Sequence, residues 1–316
     1  MDSVHCHHCQ KPISGKFVRA FNKVWHHKCF LCAGCQKPVL GQYIKKDGKP
    51  WHTPCYQKAF IPNCDVCSKP LTGGYLQDYW GNKYCISHKK YATCTSCGRI
   101  VCGPVTNGGM RFPDGLMICH LCTETGVTTQ SKARKLMMEM RAALKSLGLN
   151  LYNADTPTRL TNRDELHGNS RHDNHDEHPL LGLAKWSTTY VGKRIVSRQF
   201  NEILIQTNLP EEHFRTVVIH ELTHAWFFYN NPKGEKLPLQ VEEGMCVLVE
   251  YLWLKQQKTD DARYRMKVIK ECSDPVYGDG FRAANKALRT MRLSSLTRYV
   301  IEKRKFPSAL AAFFYD

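Results

Sequence analysis

The segment VVIHELTHAWFFYN, Val217 to Asn230, carries two histidines four positions apart, with a glutamate directly after the first. In an α-helix, residues i and i+4 share a face, so His220 and His224 can direct their rings at one metal ion. Glu221 then lies beside that ion, where it can take a proton from water that zinc activates near neutral pH. If this segment is helical, its spacing predicts a zinc-dependent catalytic centre.

A catalytic zinc ion needs a third protein ligand, and two adjacent glutamates, Glu242 and Glu243, lie on the next predicted helix. They occur in LQVEEGMCVLVEYLWL, with eighteen residues between His224 and Glu243. This set resembles the gluzincin metallopeptidases, in which an HExxH helix precedes a second helix with a glutamate ligand. The Asn-Glu-Gly pattern of that group aligns with Glu242-Glu243-Gly244, which favours Glu243 and leaves Glu242 as the neighbouring candidate. The alternative for the whole set is two core histidines and two surface glutamates.

The stretch DPVYGDGFR, Asp274 to Arg282, is predicted to add a catalytic group. Gluzincins stabilise the oxyanion of the tetrahedral intermediate with a tyrosine or histidine from a later segment, and the resemblance implies Tyr277 in this role. The alternative is that Tyr277 anchors a glycine-rich loop by packing. The strand Glu202–Gln206, just before the active-site helix, is a candidate for pairing with an extended peptide substrate.

Cysteine and histidine pairs repeat through the first 122 residues at spacings typical of zinc ligands. A Cys-x2-Cys turn places two thiolates at one zinc ion, and a second pair on the next hairpin completes a closed tetrahedron. Two sets lie in segment 6–55, separated by two residues: Cys6, Cys9, His26 and Cys29, then Cys32, Cys35, His52 and Cys55. Two more lie in segment 64–122, separated by five residues: Cys64, Cys67, Cys85 and His88, then Cys94, Cys97, Cys119 and Cys122. Cys102 is left over and is predicted to be a loop or core thiol.

The first pair of sets resembles the LIM domain, two zinc knuckles joined by a two-residue spacer, and the second pair is LIM-like because its spacer is longer. The predicted domains are a LIM domain at 1–60, a LIM-like domain at 61–125 and a zinc metallopeptidase domain at 126–316. The predicted fold class is therefore α+β and multidomain: zinc-knuckle modules of small β-hairpins are followed by a mainly helical, gluzincin-like domain with a small sheet. The expected cofactors are four structural Zn²⁺ ions and one catalytic Zn²⁺ ion.

Helical periodicity dominates after residue 130. We expect strands at 186–190 and 194–206, and helices at 130–147, 209–229, 239–257 and 281–303. Asn208 is the predicted cap of the second helix. Residues 153–180 lack periodicity and are predicted to form a mobile loop, although metal binding is the alternative for the histidines in this region, His167, His172, His175 and His178.

The formal charge of +17 raises nucleic acid as a partner. Thirteen zinc-bound thiolates and five zinc ions would bring the charge to roughly +14, and the excess is not concentrated in a long basic run. A solvated basic surface that meets acidic protein partners is therefore predicted, and nucleic acid is not. Neither a secretory signal nor an apolar run long enough to span a membrane is visible, so the expected location is the cytoplasm. Paired cysteines there favour metal binding over disulfides.

LIM-type modules followed by HExxH, EEG and YGDGFR look like the plant organ-size-regulating LIM peptidases, described as ubiquitin-activated proteases that cleave ubiquitin ligases and deubiquitinases. The resemblance implies a zinc endopeptidase with His220, His224 and Glu243 as ligands and Glu221 as base. It also implies protein substrates, ubiquitin or ubiquitin-pathway enzymes as partners, and LIM modules that recruit substrates or hold the site shut. The rival hypothesis is a LIM interaction scaffold with an inactive peptidase domain, for which about four zinc ions per chain are expected in place of about five.

Overall fold

The computed structural model describes residues 4–169, 180–231 and 233–308, together with residues 311 and 315. The chain divides into two compact units: one comprises Met1–Tyr91 with Cys102–Val105, and the other comprises Ala92–Val101 with Thr106–Asp316. The boundary between the two compact units therefore lies near residue 92, whereas the sequence composition predicts a domain boundary near residue 125. As a result, the fourth set of metal ligands lies in the same unit as the helices.

Each zinc knuckle is built on one short antiparallel hairpin. The hairpins are β1 (Phe17–Ala20) with β2 (Lys23–His26), β3 (Ile44–Lys46) with β4 (Lys49–Trp51), β5 (Tyr75–Gln77) with β6 (Lys83–Cys85), and β7 (Gly109–Arg111) with β8 (Met117–Cys119). Short helical segments follow or flank them: α1 (Thr53–Phe60), a 3-10 helix (Ile86–Lys90), α2 (Gly103–Thr106) and α3 (His120–Thr123). This confirms small β-hairpin modules ahead of a mostly helical region.

One hydrogen-bond pattern recurs in all four knuckles. The backbone N–H of the residue that begins the second ligand pair donates to the sulfur of the first cysteine, at 3.3–3.4 Å; the pairs are His26–Cys6, His52–Cys32, Cys85–Cys64 and Cys119–Cys94. The residue after each Cys-x2-Cys turn adopts a left-handed conformation, at positions 10, 36, 68 and 98. The turn and the hairpin thus bring two ligand pairs together by local geometry, as the spacing predicts.

A three-stranded sheet lies in the second unit. Its strands are β9 (Thr158–Thr161), β10 (Gly182–Val191) and β11 (Arg194–Gln206), in the order β10-β11-β9. Residues 203–205 of β11 pair with β10 on one side and with β9 on the other. The prediction that Glu202–Gln206 pairs with a substrate is therefore wrong, because both edges of this stretch are already occupied by chain neighbours. The two edge strands of this sheet are β10 and β9.

Helices form the rest of the second unit: α4 (Gln130–Ser146), α5 (Arg163–Asn169), α6 (Glu211–Asn230), α7 (Leu239–Gln256), α8 (Asp260–Glu271), α9 (Tyr277–Ala287) and α10 (Leu293–Lys303). The strands predicted near 186–190 and 194–206 and the first three predicted helices are confirmed within a few residues. The loop predicted for 153–180 contains β9 and α5, while His172, His175 and His178 lie outside the described residues. Within the described part of the chain, the helices fall short of the length and apolarity that crossing a membrane requires.

The single helix predicted over 281–303 is wrong, because α9 and α10 are separate and α8 precedes them. Local caps explain the difference. The hydroxyl of Thr259 accepts a hydrogen bond from the N–H of Ala262 at 3.0 Å, which begins α8. The carboxylate of Asp274 accepts from the N–H of Tyr277 at 2.9 Å, so α9 begins four residues earlier than predicted. At the start of α6, Pro210 is the cap, and Asn208 lies before it with φ at +65°.

Helix α6 occupies the centre of the second unit, in contact with the sheet, α4 and α7. Five of its apolar side chains are fully buried: Phe214, Val218, Ile219, Leu222 and Ala225. Helix α7 is buried along most of its length, with Met245, Leu248 and Val249 fully enclosed. Burial on all sides holds the two helices in a fixed relation, and this relation positions the polar side chains that face each other between them.

Helices α7 and α9 cross with their backbones in close approach at two glycines. A Cβ atom added to Gly280 would lie 2.5 Å from the carbonyl oxygen of Gln240, and one added to Gly244 would lie 2.4 Å from the backbone of Gly280. Gly280→Ala is therefore expected to destabilise the protein by about 1–3 kcal/mol, because the helices must separate. The check is thermal unfolding alongside Gly168→Ala, whose added methyl group meets open space. Equal stability of the two variants would contradict the prediction.

Candidate metal centre

His220 and His224 point from α6 toward α7, where their Nε2 atoms meet one carboxylate oxygen. Oε2 of Glu243 lies 3.1 Å from Nε2 of His220 and 3.5 Å from Nε2 of His224. In a tetrahedral zinc site with bonds of about 2.0–2.1 Å, neighbouring ligand atoms are roughly 3.3 Å apart. Both distances from Oε2 of Glu243 are close to that spacing. The structure brings the three predicted ligands together, although the prediction that they hold a metal remains a prediction.

The other ring nitrogens of the two histidines also face carboxylates of α7. Nδ1 of His224 is 2.9 Å from Oε1 of Glu242, and Nδ1 of His220 is 3.6 Å from Oε2 of Glu250. A carboxylate at Nδ1 holds the ring so that the Nε2 lone pair faces a metal. Glu242, the alternative ligand in the sequence, thus contacts the opposite side of His224 from Glu243.

This geometry predicts a modest effect for Glu242→Gln. The amide still accepts a hydrogen bond at Nδ1 of His224 but carries no charge, so affinity for zinc at this site should fall by roughly 10- to 100-fold. Competition with a zinc-binding dye measures that affinity. Glu235→Gln is the control, since that exposed carboxylate pairs with Arg304 far along the chain. Complete loss of the metal from Glu242→Gln would instead indicate that Glu242 is a direct ligand.

Burial and charge both act on the two histidines and on Glu243. Burial opposes protonation of both histidines, but their neighbours outweigh it and raise both pKa values well above the usual range: mainly Glu243 and Glu250 for His220, and mainly Cys246 and Glu243 for His224. Burial likewise opposes ionisation of Glu243, and the two imidazoles lower its pKa nonetheless. A carboxylate that stays ionised between two imidazoles creates a concentrated site for a cation, and a bound divalent ion would take the place of the imidazole protons.

Glu221 is held against the edge strand β10. Its Oε2 atom accepts a hydrogen bond from the N–H of Ala184 at 2.8 Å, and the side chain is only 6% exposed. Gly182 makes room for it, because a Cβ atom there would lie 2.6 Å from Oε1 of Glu221. Burial raises the pKa of Glu221. A carboxylate with a raised pKa is a better proton acceptor, which suits the predicted role of general base.

Tyr277 is the first residue of α9, not part of a loop as the sequence indicated. Burial raises its pKa, and the charges of Glu243 and His224 also act on it. The ring is partly buried against the core of the second unit. Its phenol therefore belongs to the electrostatic surroundings of the candidate site, while its role toward an oxyanion stays a prediction.

Cys246, for which the sequence predicted no role, also lies in this cluster. The ligand atoms of His220, His224 and Cys246 all lie within 4.8 Å of one another, and Cys246 is fully buried. Glu243, Cys246 and Glu250 are spaced i, i+3 and i+7, so they share one face of α7. That periodicity was visible in the sequence and is the signal that would have identified Cys246 and Glu250. The site thus offers a carboxylate and a thiol as candidate third donors.

The four sets of cysteine and histidine residues in the knuckles converge as their spacing predicts. In each set the four ligand atoms lie within 4.8 Å of one another. Burial opposes ionisation of Cys6, Cys32 and Cys64, but backbone N–H donors lower their pKa values to about 6. Thiolates that are already stabilised by backbone donors suit zinc, and these clusters are typical of LIM zinc-binding sites.

Two family models match this chain. The model described as "LIM: LIM domain" matches residues 6–60 and 32–93, and the model described as "DA1-like: Protein DA1" matches residues 131–267. The second match contains both α6 and α7, and therefore the candidate metal centre.

Similar proteins are found in plants and in an animal. Protein DA1 of Arabidopsis thaliana is 26% identical over 371 residues, covering 97% of this chain and 69% of DA1. Protein DA1-related 1 of the same plant is 26% identical, covering 90% of this chain and 62% of its own length. Mouse zyxin is 29% identical over 122 residues, covering 37% of this chain and 22% of zyxin. The chain therefore combines LIM-type zinc modules with a region that matches the DA1-like family model.

Proposed function

We propose that this protein is a zinc-dependent endopeptidase of gluzincin type. The observation that carries the proposal is the convergence of His220, His224 and Glu243, with Glu221 near enough for their charges to act on it. All four side chains are largely buried, so a metal ion there would act in a medium of low dielectric constant. A bound zinc ion would supply Lewis acidity toward a peptide carbonyl and toward water.

The roles of the side chains follow from their positions. Glu221 accepts a proton from the attacking water and can return it to the leaving amine. Glu242 and Glu250 keep the two imidazoles in orientation. Tyr277 is proposed to donate a hydrogen bond to the oxyanion of the tetrahedral intermediate, since its raised pKa keeps the phenol protonated.

The edge strand β10 is the proposed binding site for the substrate. The sheet order leaves one edge of β10 away from β11, and from β10 the N–H of Ala184 reaches Glu221. An extended peptide laid along β10 would form main-chain hydrogen bonds with it and pass the carboxylate of Glu221. The proposed substrates are therefore proteins with an accessible extended segment. That they belong to the ubiquitin pathway, and that the LIM region recruits them or keeps the site closed, are further proposals that rest on the resemblance.

The alternative function is a protein-interaction scaffold that uses the LIM region and has no peptidase activity. A protein that has lost peptidase activity would be expected to lack at least one ligand or the base, and this chain retains His220, Glu221, His224 and Glu243. A metal count separates the two hypotheses: about five zinc ions per chain support the peptidase, and about four support the scaffold.

The test of the proposed function is a cleavage profile. A mixture of unfolded proteins is incubated with the wild-type protein or with Glu221→Gln, and new amino termini are identified by mass spectrometry. We expect internal cleavages that depend on the wild-type protein. Identical sets of termini from the two samples would overturn the endopeptidase assignment.

A further inference from the structure

The fourth ligand set differs from the other three in the compact unit to which it belongs. Its members are Cys94, Cys97, Cys119 and Cys122. It lies in the compact unit that contains α6 and α7, whereas the other three sets lie in the first unit. The residues matched by the LIM model end at 93, before this set begins. All four cysteines are buried, whereas Cys35 and Cys67 of other sets are exposed. The fourth knuckle is therefore part of the same compact unit as the candidate metal ligands of α6 and α7.

Ser96, inside the Cys94-x2-Cys97 turn, connects this knuckle to α6. It is 2% exposed, and its hydroxyl lies 2.9 Å from Nδ1 of His213 and accepts a hydrogen bond from Nη2 of Arg265 at 3.1 Å. His213 lies on α6 two turns before His220, on the same face. Burial and the Arg265 guanidinium lower the pKa of His213, so its ring is neutral near pH 7. The metal-binding turn therefore holds the first turns of the helix that carries the candidate metal ligands.

Three further hydrogen bonds attach this knuckle and the segment directly after it to the strands and helices of the same unit. Asp114, in the turn between β7 and β8, accepts hydrogen bonds from the backbone N–H of Arg163 at 3.0 Å and from the side chain of Gln206 at 3.3 Å. The N–H of Val127 donates to the carbonyl of Leu209, directly before α6, at 2.9 Å. The knuckle thus contacts the end of β11 and the start of α5, the segment directly after it contacts the approach to α6, and the Cys94–Cys97 turn contacts α6 and α8.

We propose that metal binding at this fourth set controls the α6–α7 site: the metal orders the turn, the turn positions Ser96, and Ser96 positions His213 and α6. A small knuckle gains most of its folding free energy from the metal, so loss of the metal should disorder the turn. Helix α6 would then lose its attachment at His213, and His220 would no longer be aligned with Glu243. The inference rests on the proposed metal centre and makes its occupancy depend on a second metal that takes no part in the reaction.

Two matched variants test the dependence in the full chain. Cys97→Ser removes a ligand from the fourth set, and Cys67→Ser removes the ligand at the same position of the third set. With five metals expected in the wild type, Cys67→Ser should bind four and Cys97→Ser three, because the α6–α7 metal is lost with the fourth. Hydrogen exchange of amides in residues 214–224 should accelerate in Cys97→Ser alone. Four metals and unchanged exchange in Cys97→Ser would overturn the proposal.

A second pair of variants keeps all the cysteine ligands, so it tests the proposal even if Cys97→Ser does not fold. Ser96→Ala removes the hydroxyl, and Val66→Ala alters the equivalent position of the third knuckle, where Cys64-x2-Cys67 has valine. Loss of buried hydrogen bonds should speed amide exchange at the start of α6 on the order of 10-fold in Ser96→Ala. Equal rates in both variants would refute the role of Ser96. These readouts need no peptide cleavage, so an inactive protein that shows the dependence would refute the proposed enzyme and leave this inference standing.

Discussion

Glu221→Gln is expected to lower peptide cleavage by on the order of 10²- to 10⁴-fold without loss of zinc, the range typical for removal of a general base. The amide oxygen of glutamine can still accept the hydrogen bond from the N–H of Ala184, so the side chain should keep its position. What it loses is the ability to take a proton. Initial rates on an unfolded protein substrate, with zinc measured by mass spectrometry on the same samples, provide the check.

Glu212→Gln is the matched control for this experiment. Glu212 lies in the first turn of the same helix, and its carboxylate contacts the hydroxyl of Thr259. Its replacement should leave the cleavage rate unchanged. If Glu221→Gln cleaved substrate as fast as Glu212→Gln, the base would have to be another group.

His220→Ala is expected to lower the metal content from five zinc ions per chain to four, and to abolish cleavage. Four sets of ligands in the knuckles are untouched by the change, so the loss should be confined to the α6–α7 site. Two protein donors hold a zinc ion far less tightly than three. Alanine at position 220 leaves a cavity with no ligand atom in place of the imidazole. Metal analysis after dialysis against metal-free buffer measures the number of zinc ions per chain.

The control for His220→Ala is His167→Ala, which removes a histidine that contacts Arg163 on α5. It should retain all five metals. If His220→Ala also retained five, the assignment of the α6–α7 cluster as a zinc site would be wrong.

The third donor can be assigned with one further pair. Glu243→Ala should lose the same metal, because Oε2 of Glu243 meets both Nε2 atoms at near tetrahedral spacing. Cys246→Ser should keep it if the thiol only packs behind the histidines. The opposite result, loss from Cys246→Ser and retention in Glu243→Ala, would show that the thiol is the ligand and that a softer metal should be considered.

Much of the candidate site was predictable because its spacing is local. An i, i+4 pair on a helix and two pairs at knuckle spacing depend on backbone geometry over a few residues, and both converge as expected. The functions of Glu242, Cys246 and Glu250 were not predicted. Their periodicity was visible, but which of these side chains faces Nε2, and which faces Nδ1, depends on how α7 packs on α6.

The secondary structure shows the same division. Helices α4, α6 and α7 follow from apolar periodicity, and β10 and β11 follow from their β-branched residues. Helix α8 was not predicted and the start of α9 was wrong, because hydrogen bonds accepted by the side chains of Thr259 and Asp274 decide where those helices begin. The strand before α6 lies inside the sheet because β9 adds to its other side, a pairing that the separation along the chain conceals.

By itself, the sequence determined the four knuckles, the HExxH helix and the presence of a glutamate-bearing helix after it, since each depends on contacts between near neighbours in the chain. Only the tertiary structure decided that Glu243 meets both imidazoles, that β10 forms the sheet edge beside Glu221, and that the fourth knuckle belongs with the helices. These depend on packing between distant segments, such as the close crossing of α7 and α9 at Gly244 and Gly280. Side-chain volumes across an interface set that packing, and no single segment specifies it.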